Sequence, residues 1–180
     1  MALTDIDKQL DALRNQAQKH RDNVWTLLNA VRANALLSVE GQDDQIRGDR
    51  EKAIAAIKAL RAQEEKIVDE RILSLERRVF GEVSSSSDVI AIRDAADRAE
   101  QLESDAEALR LFERAKVTRD EGLATAVVRR AVAMRFLGTL EAFEKSDPSK
   151  AEALRDLTAL TAFRDTPFDL TRELAYQPPQ

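Results

Sequence analysis

Cysteine is absent from this 180-residue chain, which excludes disulfides and thiolate metal sites. A single histidine, His20, cannot build a histidine-rich metal centre. Five glycines and four prolines leave few interruptions, and aromatic residues amount to only 4%. No apolar run approaches the roughly 20 residues that span a bilayer. The opening Met1-Ala2-Leu3-Thr4-Asp5 lacks the basic start and apolar stretch of a signal peptide. A cytoplasmic, membrane-free protein is therefore expected. Neither a Gly-x-Gly-x-x-Gly turn nor a Gly-x-x-x-x-Gly-Lys loop occurs, so no nucleotide cofactor has motif support. Ser84-Ser85-Ser86-Ser87 offers hydroxyls without a nucleophile elbow or a neighbouring histidine, and reads as linker. No cofactor, no metal and no enzymatic activity are expected.

Charge is plentiful but nearly balanced. There are 28 basic and 33 acidic side chains, a net of −5. Residues 1–80 carry 14 of each sign, so the excess of acid lies in the remainder. No broad basic face emerges, which argues against duplex binding driven by phosphate neutralisation. The local contrast is sharper. Residues 88–107 hold seven acidic and two basic groups, whereas 108–145 hold eight basic and five acidic, including Arg129, Arg130 and Arg135. Such a contrast could draw subunits or partners together, or simply decorate the chain's own surface.

What the chain has in quantity is helical periodicity. Ile6, Leu10, Leu13, Ala17, His20, Val24, Leu27 and Val31 follow one another at alternating steps of four and three. That is the rhythm of one narrow seam laid against another helix. Trp25 and Leu28 sit beside the seam and widen it. Thr4 is the expected N-cap, and the helix should end near Asn34. A second helix, capped by Ser38, should run from about 39 to 80 with its own stripe: Ile46, Ala53, Ile57, Leu60, Val68, Ile72, Leu75, Val79. Between Leu60 and Val68 the stripe passes through Glu64 in two successive steps of four, a stutter that unwinds a left-handed supercoil. At 1.5 Å per residue such a helix is roughly 60 Å long. The short connection makes the pair an antiparallel hairpin.

Beyond Phe80-Gly81 and the serines, the pattern predicts a helix over 88–117 with Ile92, Ala95, Ala99, Leu102, Ala106, Leu109 and Phe112 inward. Thr118-Arg119-Asp120-Glu121 reads as a capping box opening a helix to about Lys145. That helix buries Leu123, Val127, Ala131, Met134 and Leu137, flanked by Val128, Val132, Phe136 and Leu140. Asp147-Pro148 opens another to about 164, and Thr166-Pro167 a short last one to about Ala175. The expected fold is all-α: a long antiparallel helical hairpin, coiled-coil-like, over 1–80, a serine-rich linker over 81–87, a smaller helical bundle over 88–175, and a Pro-rich tail over 176–180.

The candidate functional residues are protein-interface residues. Leu10, Leu13, Val24, Trp25 and Leu27 form the expected contact set, with Ile57, Leu60, Ile72 and Leu75 facing them from within the chain or from a neighbour. His20 is either packed in the seam or a pH-sensitive contact, since histidine titrates near neutrality. Glu64, Glu65, Asp69 and Glu70 read as a solvated acidic face; a di-iron bundle would need Glu-x-x-His pairs, which are missing. Arg129 and Arg130 offer charge to a partner, and Tyr176 could anchor the tail in a groove.

Residues 108–147 resemble a single tetratricopeptide hairpin lacking its usual Trp, Gly and Tyr, and stand as a generic helical hairpin. His20-Arg21-Asp22-Asn23-Val24-Trp25, with Arg32-Ala33-Asn34-Ala35-Leu36-Leu37-Ser38-Val39-Glu40-Gly41, resembles small helical proteins of actinobacterial tailed phages and prophages. That resemblance implies a virion or assembly component: capsid-associated, scaffolding, head–tail or tail. It transfers no functional residue. The expected function is non-enzymatic assembly through helix–helix contacts, by self-association or within a larger particle. A phage-encoded protein would reside in the virion or in an assembly intermediate. The alternative is a cytoplasmic adaptor or regulator that binds a protein or peptide.

Overall fold

The computed structural model of the protein describes residues 3–34, 36–81, 89–166 and 170–179. Every regular element among them is an α-helix, as expected. The first, α1, is Leu3–Arg32 and the second, α2, is Val39–Phe80. Because α1 already begins at Leu3, Thr4 lies within its first turn and not ahead of it. Ser38 does cap α2, its Oγ accepting from the Gly41 N–H at 3.2 Å. Gly81 ends α2 at φ +77°, a left-handed position that suits glycine, and donates to the Arg77 carbonyl at 2.9 Å. The serine run lies outside the described residues.

The chain divides into two compact units, residues 1–69 with 166–180 and residues 70–165. This differs from the expected break at 81–87. The last turns of α2 group with the following helices, and the C-terminal segment groups with the hairpin. In the first unit, Leu13 and Ala17 of α1 cluster with Ile57 and Leu60 of α2. Leu13 and Ala17 lie about as far before the connection as Ile57 and Leu60 lie after it, which requires antiparallel helices.

The stripe read on α2 is buried at every position, Glu64 included. The stripe on α1 is buried through Ala17 and again at Val24 and Val31, but Leu27 is 41% exposed while Leu28 is half-buried. A straight helix drifts about 20° per heptad from a strict seven-residue repeat. Three heptads beyond Ile6 that drift reaches about 60°, which places Leu28 nearer the seam than Leu27.

In the second unit the two expected long helices are each broken. Helix α3 is Val89–Glu100 and α4 is Asp105–Thr118. Ser104 starts α4 in extended geometry, its Oγ accepting from the Glu107 N–H. The break shifts the helical phase: Ala108, Phe112 and Ala115 turn inward, while Ala106 is exposed. Arg119, at φ 57°, closes α4, and Asp120 caps α5, Glu121–Met134, by accepting from the Leu123 N–H at 2.9 Å. The cap is thus Asp120; Thr118 remains the last residue of α4. Arg135, at φ 58°, then separates α5 from α6, Leu137–Ser146. The interruption buries Phe136 and Leu140 and leaves Met134 and Leu137 exposed, where a continuous helix would have turned both inward. Helix α7 is Ala151–Arg164, starting three residues after Pro148 because residues 148–150 form a turn. Helix α5 is the centre of this unit, packed against α3, α4, α6 and α7. The last helix, α8, is Leu170–Ala175 and belongs to the first unit.

Helix α6 has no cap of its own. Asp105 supplies one from the start of α4: its Oδ2 accepts from the Gly138 N–H at 2.7 Å, and its Oδ1 from the Thr139 N–H at 2.9 Å and the Thr139 hydroxyl at 2.8 Å. Residue 138 has to be small, since a Cβ there would lie 2.9 Å from Asp105 Oδ2. Burial opposes ionisation of Asp105, but these three donors outweigh it and hold the carboxyl below its usual value near 3.8. A depressed folded pKa gives stability that is present above the unfolded value and lost as pH falls through the folded one. Asp105→Ala, which leaves the fully buried Thr139 hydroxyl only the long contact to the residue-105 carbonyl at 3.4 Å and uncaps α6, should therefore cost about 2 kcal/mol at pH 7. The deficit should shrink as pH falls below about 4, first because the unfolded chain's carboxyl takes up a proton and then because the folded one does. Urea unfolding at pH 7 and pH 3 measures both; an equal deficit at the two pH values would contradict this account.

Candidate functional site

The most unusual feature of the first unit is an anion inside it. Glu64 is 1% exposed, the result of the stutter that carries the α2 stripe through it. A buried carboxylate needs partners on both oxygens, because an unpaired one costs several kcal/mol. Arg14, one residue beyond the seam position Leu13, meets it as a two-pronged fork: Nε donates to Oε2 at 3.1 Å and Nη2 to Oε1 at 3.0 Å. The Tyr176 hydroxyl also donates to Oε2, at 2.7 Å. The Arg172 guanidinium stands 3.7 Å from Oε1. Hydrogen bonding to Glu64 holds the Arg14 pKa above its ordinary value. Burial, helped by the bond to Glu64, pushes the Tyr176 phenol well above its own. The tyrosine therefore stays a neutral donor at any ordinary pH.

Tyr176 is the hinge between this polar centre and the apolar one. Its ring is buried with Leu13, Ala17, Ile57 and Leu60, so hydroxyl and ring are both satisfied. Around it the segment is tied by further polar contacts. Arg61 Nη2 donates to Glu173 at 2.6 Å. Arg21 Nη1 donates to the carbonyls of Leu174 at 2.7 Å and Ala175 at 2.6 Å, capping the C-terminus of α8. Arg21 also donates to the Gln18 side chain. Arg50 Nε reaches the Pro179 carbonyl at 3.4 Å. Pro178 and Pro179 thereby form one wall of a shallow groove of about 420 Å³, with Gln18, Arg21, Asp22 and Trp25 on the other side.

The expected interface residues fall into four groups. Leu10, Leu13, Val24, Ile57, Leu60, Ile72, Leu75 and Tyr176 are buried within the chain and present no free surface. His20 is half-buried. Trp25, at 67%, and Leu27, at 41%, are exposed on α1. The two arginines are spoken for inside the second unit. The Arg129 guanidinium lies 4.2 Å from the centre of the Phe80 ring and 3.9 Å from Glu76, and Arg130 donates to the Leu102 carbonyl at 3.3 Å. Arg130 thus satisfies a carbonyl in the break between α3 and α4, which is reason enough for a cation there.

Glu64 corrects the expectation of a solvated acidic face; Glu65, Asp69 and Glu70 are exposed as that reading required. The signal was available, since Glu64 occupied a stripe position. Its partners Tyr176 and Arg172, more than a hundred residues away, were not foreseeable. Among the described residues no cluster of three His, Asp or Glu side chains could hold a metal ion, and no helix is long and apolar enough to cross a membrane. Comparison with known protein families, with curated proteins and with solved structures found no match for this chain.

Proposed function

We propose that this is a non-enzymatic structural protein that works by helix-mediated self-association, of the kind that builds a phage virion or its assembly intermediates. The observation that carries the proposal is Trp25. The chain's single tryptophan is left 67% in solvent on α1, with Leu27 exposed close by along the same helix. Tryptophan and arginine dominate the energetics of protein contacts, and Arg21 and Asp22 rim the same groove. A neighbouring acid and base on one rim suit a symmetric contact, in which each copy offers the other the charge it lacks. Glu64 supports a structural role. Both its oxygens are engaged by the chain's own groups, as a lock requires.

The test uses that tryptophan twice. Its fluorescence should shift to shorter wavelength as the protein is concentrated, because association removes the indole from water. Trp25→Ala should preserve the helical content and thermal midpoint yet lower the association constant at least tenfold, read by sedimentation. Loss of about 1.4 kcal/mol suffices for that factor, well within what a buried tryptophan contributes at an interface. A wild-type protein that stays monomeric with constant emission at every concentration would instead favour the adaptor reading.

A further inference from the structure

Helices α3 and α4 of the second unit both pack on α5 and leave their outer faces bare. The buried stripe is Ala95 and Ala99 on α3, and Ala108, Phe112 and Ala115 on α4. The stripes on the far sides are exposed at every position. Both point away from the same core, so they do not face each other within one chain. On α3 the outer stripe is Ile90, then Arg93 with Asp94, then Asp97. On α4, read from its C-terminal end, it is Val117, then Glu113 with Arg114, then Arg110. Ile90 is 85% exposed and Val117 84%. No hydrogen bond or ion pair joins the side chains of Arg93, Asp97, Glu113 and Arg114 to any described residue. Asp94 pairs with Arg98 one turn along its own helix, and Arg110 donates to the Ala106 carbonyl one turn back.

We infer that the outer face of α3 in one copy docks antiparallel on the outer face of α4 in another. Laid antiparallel, the two stripes match turn by turn: Ile90 meets Val117, Arg93 meets Glu113, Asp94 meets Arg114 and Asp97 meets Arg110. Both helices advance about 5.4 Å per turn, so a register that fits at one turn fits at the next. The flanks agree as well, since Arg93 and Glu113 fall on one side of the contact and Asp94 and Arg114 on the other. A parallel alignment of the same stripes sets Arg93 against Arg110 and Asp97 against Glu113, like against like. The apolar pair supplies burial at one end, and the charges fix direction and register. The inference shares with the proposed function the premise that copies associate, and adds a separate contact on the second unit. A symmetric contact through Trp25 closes at two copies, whereas a contact between unlike surfaces repeats from copy to copy unless its rotation closes a ring. The two together build an assembly larger than a dimer.

Reversing the charge of one face at a time tests this on the full chain. The parent carries Trp25→Ala, so that sedimentation reads this contact alone. In D94R/D97R the α3 face becomes basic, and in R110D/R114D the α4 face becomes acidic. Each variant by itself sets like charges together and should associate about tenfold more weakly than the parent, two attractions having become repulsions. Mixed in equal amounts, the two should recover the parent's association, because every contact between unlike variants joins a basic face to an acidic one. The chain with all four changes should associate like the parent, yet avoid it when the two are mixed. Variants that keep the parent's helical content but associate as the parent does overturn the inference, and so does a mixture no tighter than either variant alone. Should a double reversal cost helical content, the single reversals D97R and R110D carry the same comparison. A parent that stays monomeric while the wild type associates overturns this contact and leaves association through Trp25 standing. A parent that associates as tightly as the wild type, and loses that association on reversal, places the contact here and removes it from Trp25.

Discussion

Leu13→Asp should unfold the first unit, whereas Leu27→Asp should leave it folded. The seam pattern on α1 treats these two leucines alike. The structure places Leu13 at 6% exposure among Ala17, Ile57, Leu60 and Tyr176, and Leu27 at 41%. At position 13 the substitution removes a buried leucine, worth about 2–5 kcal/mol, and puts a carboxylate into the apolar cluster of Ala17, Ile57, Leu60 and Tyr176. Its neutralisation or hydration adds several kcal/mol more. At position 27 the new carboxylate stays in water, and the cost should be within about 1 kcal/mol. Urea titrations followed by circular dichroism decide this, with Leu13→Asp losing the first transition outright. If both variants unfold alike, Leu27 is seated in the seam after all. Under the proposed function, Leu27→Asp should also weaken self-association while the helices persist.

Arg14→Ala should cost about 3 kcal/mol, far more than removing an arginine from an ordinary helical ion pair. The loss strips Glu64 of its two-pronged partner and leaves the buried carboxylate to the Tyr176 hydroxyl and the more distant Arg172. Arg47, paired with Asp44 on the surface, is the natural control. Arg47→Ala should change stability by about 0.5 kcal/mol or less, because water already screens that pair. Tryptophan-independent unfolding curves for the two variants give the comparison. Equal effects would mean that Glu64 reaches water and is not locked. Arg14→Ala should also loosen segment 170–179, seen as faster amide exchange at Tyr176, because the acceptor that holds the phenol is no longer fixed.

The hairpin was legible because its information is local. Every position of the α2 stripe, from Ile46 to Val79, is buried, and even the odd step through Glu64 was visible as a stutter. The second unit is less legible for an equally local reason. Ser104 and Glu107 have the spacing of a capping box, but the apolar stripe runs on through them and masks the break. A break of four residues there, and a single left-handed residue at Arg135, re-phase everything that follows. That is why Ala108, not Ala106, faces the interior alongside the expected Phe112, and why Met134 and Leu137 do not. Among the interface residues, the sequence could identify apolar positions but not whether the chain itself would cover them.

Helical rhythm and the fold class follow from neighbours within a few residues, so the sequence alone determined them. The clasp of Glu64 by Arg14, Arg172 and Tyr176 joins residues up to 112 positions apart, and only the tertiary structure could decide it. No local spacing distinguishes a carboxylate that will meet water from one that will meet a folded-back tyrosine. The same holds for Leu13 and Leu27: one residue type at two positions of one stripe, they differ because the chain covers the first and not the second.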